Sequence, residues 1–226
     1  MLKPYYVDES VTLYLGDCRE ILPQLETVNI VVMDPPYNAG KNYGDGTDDR
    51  REWPEWCSWF DGVLTECLAK SNDGVLSFLN QTAYRKYVRL GQHEMAWSAC
   101  WIKPLSMAIC AAPFMPHWEP IAYWGNKRRR KGDLEGWGSD VITANVEFGK
   151  TRWDHPTPKP LNALLSLMSK LHGPILDPFA GSGTTLAAAK QLGRKSIGIE
   201  IEERYCEVIA TRLAQGALNL FADQPA

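Results

Sequence analysis

The chain has 226 residues, 45% of them hydrophobic and 23% charged, with a formal net charge of -3. That is enough for one compact domain with a sizeable core, and it excludes a disordered chain, a collagen-like fibre and a coiled coil. The charge balance excludes a whole-surface attraction to nucleic acid but not a local basic patch. Short apolar runs alternate with helical patterns, the signature of an α/β sheet. Residues 11–15 read as a strand ending at Gly16-Asp17, and residues 18–25 as a short helix. Residues 28–33 read as a buried strand that runs into Asp34-Pro35-Pro36-Tyr37.

Residues 38–52 carry Gly, Asn, Asp and Arg with no apolar period. They read as a long loop of the kind that forms lids or binding segments. Pro54 suits the first turn of a helix. Trp56, Phe60, Val63, Leu64, Cys67 and Leu68 follow at helical spacing. That aromatic stripe reads as a core face, with base stacking as the alternative. A strand over 74–80, a helix over 82–91 and a strand over 96–102 come next. Residues 107–114 read as irregular or helical, and 120–124 as a strand.

Residues 125–154 break the rhythm and contain Lys127-Arg128-Arg129-Arg130-Lys131. Between 125 and 160 stand eight basic and five acidic residues. Such a run is either a solvated loop or a phosphate-binding patch. The last third is the clearest: a helix over 161–171, a strand over 174–176, a glycine turn over 177–185 and a helix over 186–192. A strand over 195–199 then closes at Glu200, and a helix covers 203–215.

No two of the six cysteines are spaced as CxxC and the four histidines stand far apart, so neither zinc nor a disulfide framework is expected. No apolar run approaches the ~18 residues of a membrane span. The segment Met1-Leu2-Lys3-Pro4-Tyr5 has no apolar core of a secretory signal, which points to a cytoplasmic protein.

Two constellations carry chemistry. In the first, Gly181 and Gly183 allow a tight turn and close backbone approach to a ligand, and the helix behind them presents free N–H groups. Glu200, about twenty residues on, ends the next strand, where a carboxylate can accept both hydroxyls of a ribose. The pattern is neither a P-loop nor the full GxGxxG of dinucleotide enzymes. In the second, Pro35 and Pro36 hold a carboxylate, a carbonyl and an aromatic ring in one geometry. Asp34 and the Pro35 carbonyl can accept the two hydrogens of an exocyclic amine while Tyr37 stacks on its ring.

Asp34-Pro35-Pro36-Tyr37, together with Asp177-Pro178-Phe179-Ala180-Gly181-Ser182-Gly183-Thr184, resembles the amino-methyltransferases of DNA. His155-Pro156-Thr157-Pro158-Lys159-Pro160 is similar to the HPTQKP segment of their β-type members, with Pro158 replacing Gln. The order, tetrapeptide first and glycine turn last, is also theirs. The resemblance spans about residues 5 to 215. It implies a Rossmann-like α/β fold, a single mostly parallel sheet with helices on both faces. It further implies one catalytic domain over 1–226, with 125–154 as a small target-recognition insertion.

By the same resemblance the cofactor is S-adenosylmethionine. Asp177, Phe179, Gly181, Gly183 and Thr184 would hold its methionine end, Glu200 its ribose and Asp17 the region of its adenine. Lys159 lies in the segment that helps hold its carboxylate, with Pro158 a departure that weakens that assignment. Asp34, Pro35, Pro36 and Tyr37 would hold a base flipped out of double-stranded DNA. Lys41, Arg50, Arg51, Arg128, Arg129 and Arg130 would meet the DNA backbone. Relatives of the β type often pair, which makes a homodimer a further expectation. An initial Asp favours adenine N6 over cytosine N4, whose enzymes more often begin with Ser. The rivals are RNA or protein-glutamine methylation, whose families usually place the two motifs in the opposite order, and a catalytically silent DNA-binding module.

Overall fold

The computed structural model describes residues 2–41, 49–105, 114–125, 139–146 and 158–215. The chain opens with β1 (Tyr6–Val7), β2 (Val11–Leu15), α1 (Cys18–Ile21) and β3 (Val28–Met33). Next come α2 (Trp53–Ala69), β4 (Ser71–Phe78), α3 (Gln81–Leu90), β5 (Trp97–Ile102), β6 (Trp118–Trp124) and β7 (Val141–Thr143). The last third holds α4 (Leu161–Met168), β8 (Ile175–Asp177), α5 (Thr184–Gln191), β9 (Ser196–Glu200) and α6 (Glu203–Ala214).

The described strands form one sheet in the order β1-β2-β9-β8-β3-β4-β6-β5-β7. From β2 to β4 every neighbouring pair is parallel. Strand β1 pairs antiparallel with β2, and β6 pairs antiparallel with both β4 and β5. The expected single mixed sheet, mostly parallel, is present.

Strand β3, Val-Asn-Ile-Val-Val-Met, is apolar on both sides because both sides are covered. Val31 and Met33 pack with residues of α1, α2 and α3, whereas Ile30 and Val32 pack with α4 and α5. The stripe on α2 is core: Trp56, Phe60, Val63, Leu64 and Cys67 are all buried. Trp56 stacks on Phe60 at 5.2 Å between ring centroids, and Phe60 lies T-shaped to the Tyr87 ring and tilted to the Trp124 ring. On the opposite face α5 lies very close to β9. A Cβ added at Gly198 would stand 2.6 Å from Leu186 Cδ1, so the Leu186 side chain packs directly on the strand at the glycine.

Two elements differ from expectation. The sequence reading has no strand at Tyr6–Val7, and it treats 125–154 as an interruption. Within that stretch Val141–Thr143 forms β7, parallel to β5. Trp101 Nε1 donates to the Ala144 carbonyl at 2.9 Å just beyond it. Three residues are too few to show a period, and the strand exists because β5 offers a free ladder. Arg128, Arg129 and Arg130, the segment from His155 to Thr157, and residues 107–113 lie outside the described residues.

Strands β3 and β8 are neighbours, paired at Ile30 with Ile175 and Val31 with Leu176. The chain leaves β3 toward β4 on one side and leaves β8 toward β9 on the other. The two connections diverge, and a crevice opens at the carboxyl ends of the strands.

Helices α2 and α3 are joined by a buried polar contact. Tyr87 donates its hydroxyl to Asp61 Oδ1 at 2.5 Å, and Gln92 N–H reaches both Asp61 oxygens at 3.1 Å. Tyr87→Phe leaves this buried carboxylate without its hydroxyl donor. The expected loss is about 1–3 kcal/mol in urea unfolding, and an unchanged midpoint would count against the contact.

Candidate active site

The crevice at the β3–β8 junction is a pocket lined by both constellations. Asp17, Asp34, Pro35, Pro36, Tyr37, Lys159, Asp177, Phe179, Gly181, Thr184 and Glu200 all face it. Residues more than 140 positions apart are brought together by the pairing of two strands.

Asp34 follows the last residue of β3. Tyr37 donates its hydroxyl to Asp34 Oδ1, so its ring is held beside the carboxylate. Lys159 Nζ lies 2.6 Å from Asp34 Oδ2, with the lysine side chain 10% exposed. The resemblance assigns Lys159 to the cofactor, and the fold sets it on the tetrapeptide. Its ammonium also lies 5.1 Å from the centroid of the Tyr37 ring and 5.4 Å from that of Phe78. Trp56 Nε1 donates to the Pro36 carbonyl at 2.9 Å. A tryptophan read only as core therefore also fixes the tetrapeptide backbone.

The chain leaving Tyr37 is clamped. Asn38 adopts φ 58°, a left-handed conformation that asparagine tolerates. Its amide donates to the Arg51 carbonyl at 2.8 Å and accepts Arg51 N–H at 2.7 Å. Asp49, 3% exposed, accepts the backbone N–H groups of Asn38, Ala39 and Lys41 at 2.6–3.0 Å. Neither Asn38 nor Asp49 is among the sequence-derived candidates. Both lie in a polar loop with no periodicity to mark them. The Lys41 and Arg50 side chains are exposed on this neck, while the Arg51 guanidinium lies 5.0 Å from the centroid of the Trp59 ring.

The glycine turn carries the second half of the site. Gly181 and Gly183 have φ 52° and 76°. A Cβ on Gly183 would also stand 2.9 Å from Ile209 Cγ1 of α6. Gly181 N–H donates to Glu200 Oε2 at 2.7 Å, and Glu202 N–H donates to Oε1 at 2.9 Å. Arg212 on α6 donates to the Ser182 carbonyl at 3.0 Å and to Thr184 Oγ1 at 3.2 Å. Phe179 packs 5.9 Å from Trp59, centroid to centroid, and closes one wall. Asp17 caps α1, accepting Arg19 N–H at 2.9 Å, and the Arg19 guanidinium pairs with it.

Burial dominates the electrostatics. It pushes Asp177 up to about 7, opposed by hydrogen bonds from Thr185 and from Phe179 N–H and reinforced by Asp34 and Glu200. It pushes Glu200 up to about 7 as well, against three backbone N–H donors. Two such acids in one pocket await a partner that is cationic or donates hydrogen bonds. The buried thiols of Cys18, Cys67 and Cys206 are not reactive candidates. Burial raises Cys18 and Cys206 to about 12, and Cys67 is raised too. Among the described residues no group of three His, Cys, Asp or Glu is placed to hold a metal ion. None of the described helices is long and apolar enough to cross a membrane.

A family model described as DNA methylase, covering the N6 and N4 types, matches residues 113–212. The Escherichia coli (strain K12) protein YubD, a methylase by name, is 47% identical over 237 residues, covering 90% of this chain and 93% of YubD. The chain belongs to the N6/N4 DNA methylase family. This DNA methyltransferase is also 28% identical over 246 residues to the DNA adenine methyltransferase YhdJ of Escherichia coli (strain K12), covering 91% of the chain and 83% of YhdJ. Against the Type II methyltransferase M.BamHI of Bacillus amyloliquefaciens it is 28% identical over 251 residues, 94% of this chain but 59% of M.BamHI.

The fold matches the cytosine-N4-specific PvuII DNA methyltransferase with a TM-score of 0.71 at 17% identity, covering 93% of this chain and 89% of that one. It matches M1.HpyAVI in a SAM complex with a TM-score of 0.64 at 22% identity, covering 90% and 98%. The fold is thus that of the Rossmann-like methyltransferases.

The raised carboxylates of this methyltransferase give it a pH signature. A group whose pKa rises on folding stabilises the folded chain fully below its unfolded value, near 4. That stability is lost as pH climbs through the folded value, about 7 for Asp177. The loss is at most about 1.4 kcal/mol per pH unit for each such group. Asp177→Asn keeps an oxygen for Phe179 N–H and removes the titration. Without ligand, the variant should gain stability relative to wild type between pH 4 and pH 8 in urea titrations. Parallel profiles would mean that Asp177 ionises normally.

Proposed function

We propose that this DNA methyltransferase acts site-specifically on the N6 amine of adenine, with the target base flipped out of the duplex. Its methyl donor is S-adenosylmethionine. The observation that carries the reading is that Asp34 and the 177–184 turn end adjacent strands and line one pocket. Donor and acceptor must meet within bonding distance, and that adjacency is what the reaction requires. The Asp at the head of the tetrapeptide supports adenine over cytosine, as does the likeness to YhdJ.

The residues present fit the cofactor. Asp177 and Glu200 are buried acids raised to about 7. A ligand that brings an ammonium, a sulfonium and ribose hydroxyls relieves that desolvation. Each oxygen of Glu200 already accepts one backbone N–H and keeps a second lone pair for a hydroxyl. Gly181, Gly183, Phe179 and Thr184 hold the methionine end, and Asp17 lies toward the adenine. When bound, S-adenosylmethionine supplies an electrophilic methyl carbon on sulfur.

The chain's own groups act on the amine. Its lone pair is delocalised into the ring, which makes it a weak nucleophile. Asp34 and the Pro35 carbonyl accept its two N–H groups, favour a pyramidal nitrogen and stabilise the positive charge that develops there. Tyr37 and Lys159 occupy one acceptor position on each Asp34 oxygen, which leaves a further lone pair on each for the amine. Asp34 is also an acceptor for the proton that the methylated nitrogen sheds. The amine is out of reach inside a stacked duplex, so the base leaves it. Lys41, Arg50 and Arg51 meet the phosphates at the pocket mouth.

The direct test is incubation with labelled S-adenosylmethionine and unmethylated DNA, followed by digestion to nucleosides. N6-methyl-2′-deoxyadenosine is expected, N4-methyl-2′-deoxycytidine would overturn the base assignment, and no transfer would overturn the reading. Asp34→Ala strands the nearly buried Lys159 ammonium, so Asp34→Asn is the cleaner variant. It should fold, bind S-adenosylmethionine like wild type and lose roughly 10²–10³ in turnover. Near wild-type turnover would reduce the tetrapeptide to a rigid turn. Glu200→Gln keeps an acceptor for one of the two backbone N–H donors and removes the charge. Cofactor affinity in calorimetry should fall about tenfold or more, and unchanged affinity would free Glu200 of that role.

A further inference from the structure

Helix α3 carries charge that the chemistry of the pocket does not use. Its ten residues include Arg85, Lys86 and Arg89 and no acid, in a chain whose formal net charge is -3. Arg85 and Arg89 are exposed and four positions apart, which sets them one above the other on one face of the helix. Buried Ala83 and Tyr87 mark the opposite face, packed with the apolar residues of α2. Among the described residues none of the three cations pairs with a carboxylate. Arg85 Nε donates to the Gln81 carbonyl of its own helix at 3.3 Å.

The fold sets the start of this helix beside the pocket. Met33 of β3 pairs with Ser77 of β4, so Asp34 stands level with Phe78. Lys159 Nζ touches both, 2.6 Å from Asp34 and 5.4 Å from the centroid of the Phe78 ring. Helix α3 begins three residues after Phe78, capped by Asn80, and runs for about 15 Å. A row of tryptophans ties it to the pocket a second time. Arg51, Trp56 and Trp59 line the pocket. The Arg51 guanidinium lies over Trp59, whose ring is 6.3 Å from that of Trp56. Trp56 is in turn 5.7 Å from Trp53, and Lys86 Nζ lies 5.7 Å from the Trp53 ring. Lys86 is thus held on an aromatic face one ring beyond the pocket wall.

Local helix energetics account for part of this pattern only. Arg89 stands in the last turn, where the helix dipole favours a cation. Arg85 and Lys86 stand in the middle of the helix, where the dipole favours neither sign. Glu55, an exposed acid nearby in sequence to Trp53, stands in the first turn of α2, where the same dipole favours it. Val88 and Leu90 are exposed on α3, but each is a single apolar residue among the cations.

We propose that Arg85, Lys86 and Arg89 form a phosphate-binding track, which carries one flank of the substrate duplex from the pocket along the outer face of α3. The inference rests on DNA as the substrate. A duplex that delivers a base to Asp34 continues on either side of it, and its backbone is a dense line of negative charge. The chain as a whole is acidic, so a flank needs a local basic surface to lie against. Helix α3 offers that surface next to the pocket, with its cations free of carboxylates among the described residues. Such contacts release counterions from the phosphates and fix the position of the duplex. They carry no information about sequence, and they lie away from the methyl group and the amine.

The test uses the full chain and a long synthetic duplex carrying the site read by sequencing of methylated DNA. Wild type should bind and methylate it, and failure to do either would defeat the substrate reading and the track with it. Binding is then followed by fluorescence anisotropy across a salt series. The Arg85→Gln, Arg89→Gln double variant should flatten the log–log salt dependence by roughly 1.8, about 0.9 for each lost phosphate contact. Adding Lys86→Gln should flatten it by roughly 0.9 more. The KM for DNA should rise while turnover at saturating DNA stays within about twofold, and cofactor affinity in calorimetry should not move. Arg85→Lys with Arg89→Lys keeps the charge and should keep the slope. Trimming the duplex stepwise from one end should weaken wild type until it matches the double variant, and trimming from the other end should not. An unchanged slope, or a double variant that stays weaker than wild type after both flanks are trimmed, overturns the track. A change in the sequence that is methylated would make these residues base readers and overturn it too. So would a wild-type dimer that becomes a monomer in the double variant during analytical ultracentrifugation, which would assign the face to a second copy.

Discussion

Strands β3 and β8 pair at only two positions, Ile30 with Ile175 and Val31 with Leu176, yet the whole site hangs on that ladder. It sets the end of β3, with Asp34, beside the end of β8, with Asp177. Because the chain turns away from the junction in opposite directions, none of the described helices fills the space between the two ends. Glu200 holds the glycine turn through Gly181 N–H, and Arg212 braces it from α6. Trp56 does the same for the tetrapeptide from α2. Rigid elements on both faces of the sheet thus hold two loop segments at a fixed separation.

That arrangement concentrates negative charge. Asp34, Asp177 and Glu200 share one pocket, and the last two are buried enough to be raised to about 7. The fold keeps acids where water cannot fully solvate them, which stability alone would not favour. The disposition suits a cationic donor and a nitrogen that becomes positive during transfer. Lys159 is the counterweight. It neutralises Asp34 without covering all of its acceptor positions, and three aromatic rings surround its ammonium.

From this rigid centre the chain projects as a neck. The neck after Tyr37 is polar, tied by Asp49 and Asn38, and carries exposed cations. Its exposed cations suit an anionic partner. Strands β5 and β6 are pinned to each other by Lys103 and Glu119.

The sequence by itself determined a good part of this protein. The apolar run of 28–33, the glycine turn before α5 and the acid closing β9 each report a local demand, such as burial on both faces or a left-handed backbone. Their order along the chain was enough to indicate the family and the two halves of the site. Only the tertiary structure decided how distant residues meet. Lys159 lies 125 positions from Asp34, and nothing local ties one to the other. Asp49 sits in a loop without pattern, and β7 is three residues long, so neither leaves a periodic trace. Trp56 shows why a correct local reading can still be incomplete. Its helical spacing reports the apolar face that packs the core, while the indole N–H that holds Pro36 depends on a segment twenty residues away. Patterns in sequence record what each residue requires of its own element. A site is made from what the elements require of one another, and that is fixed by packing and strand register.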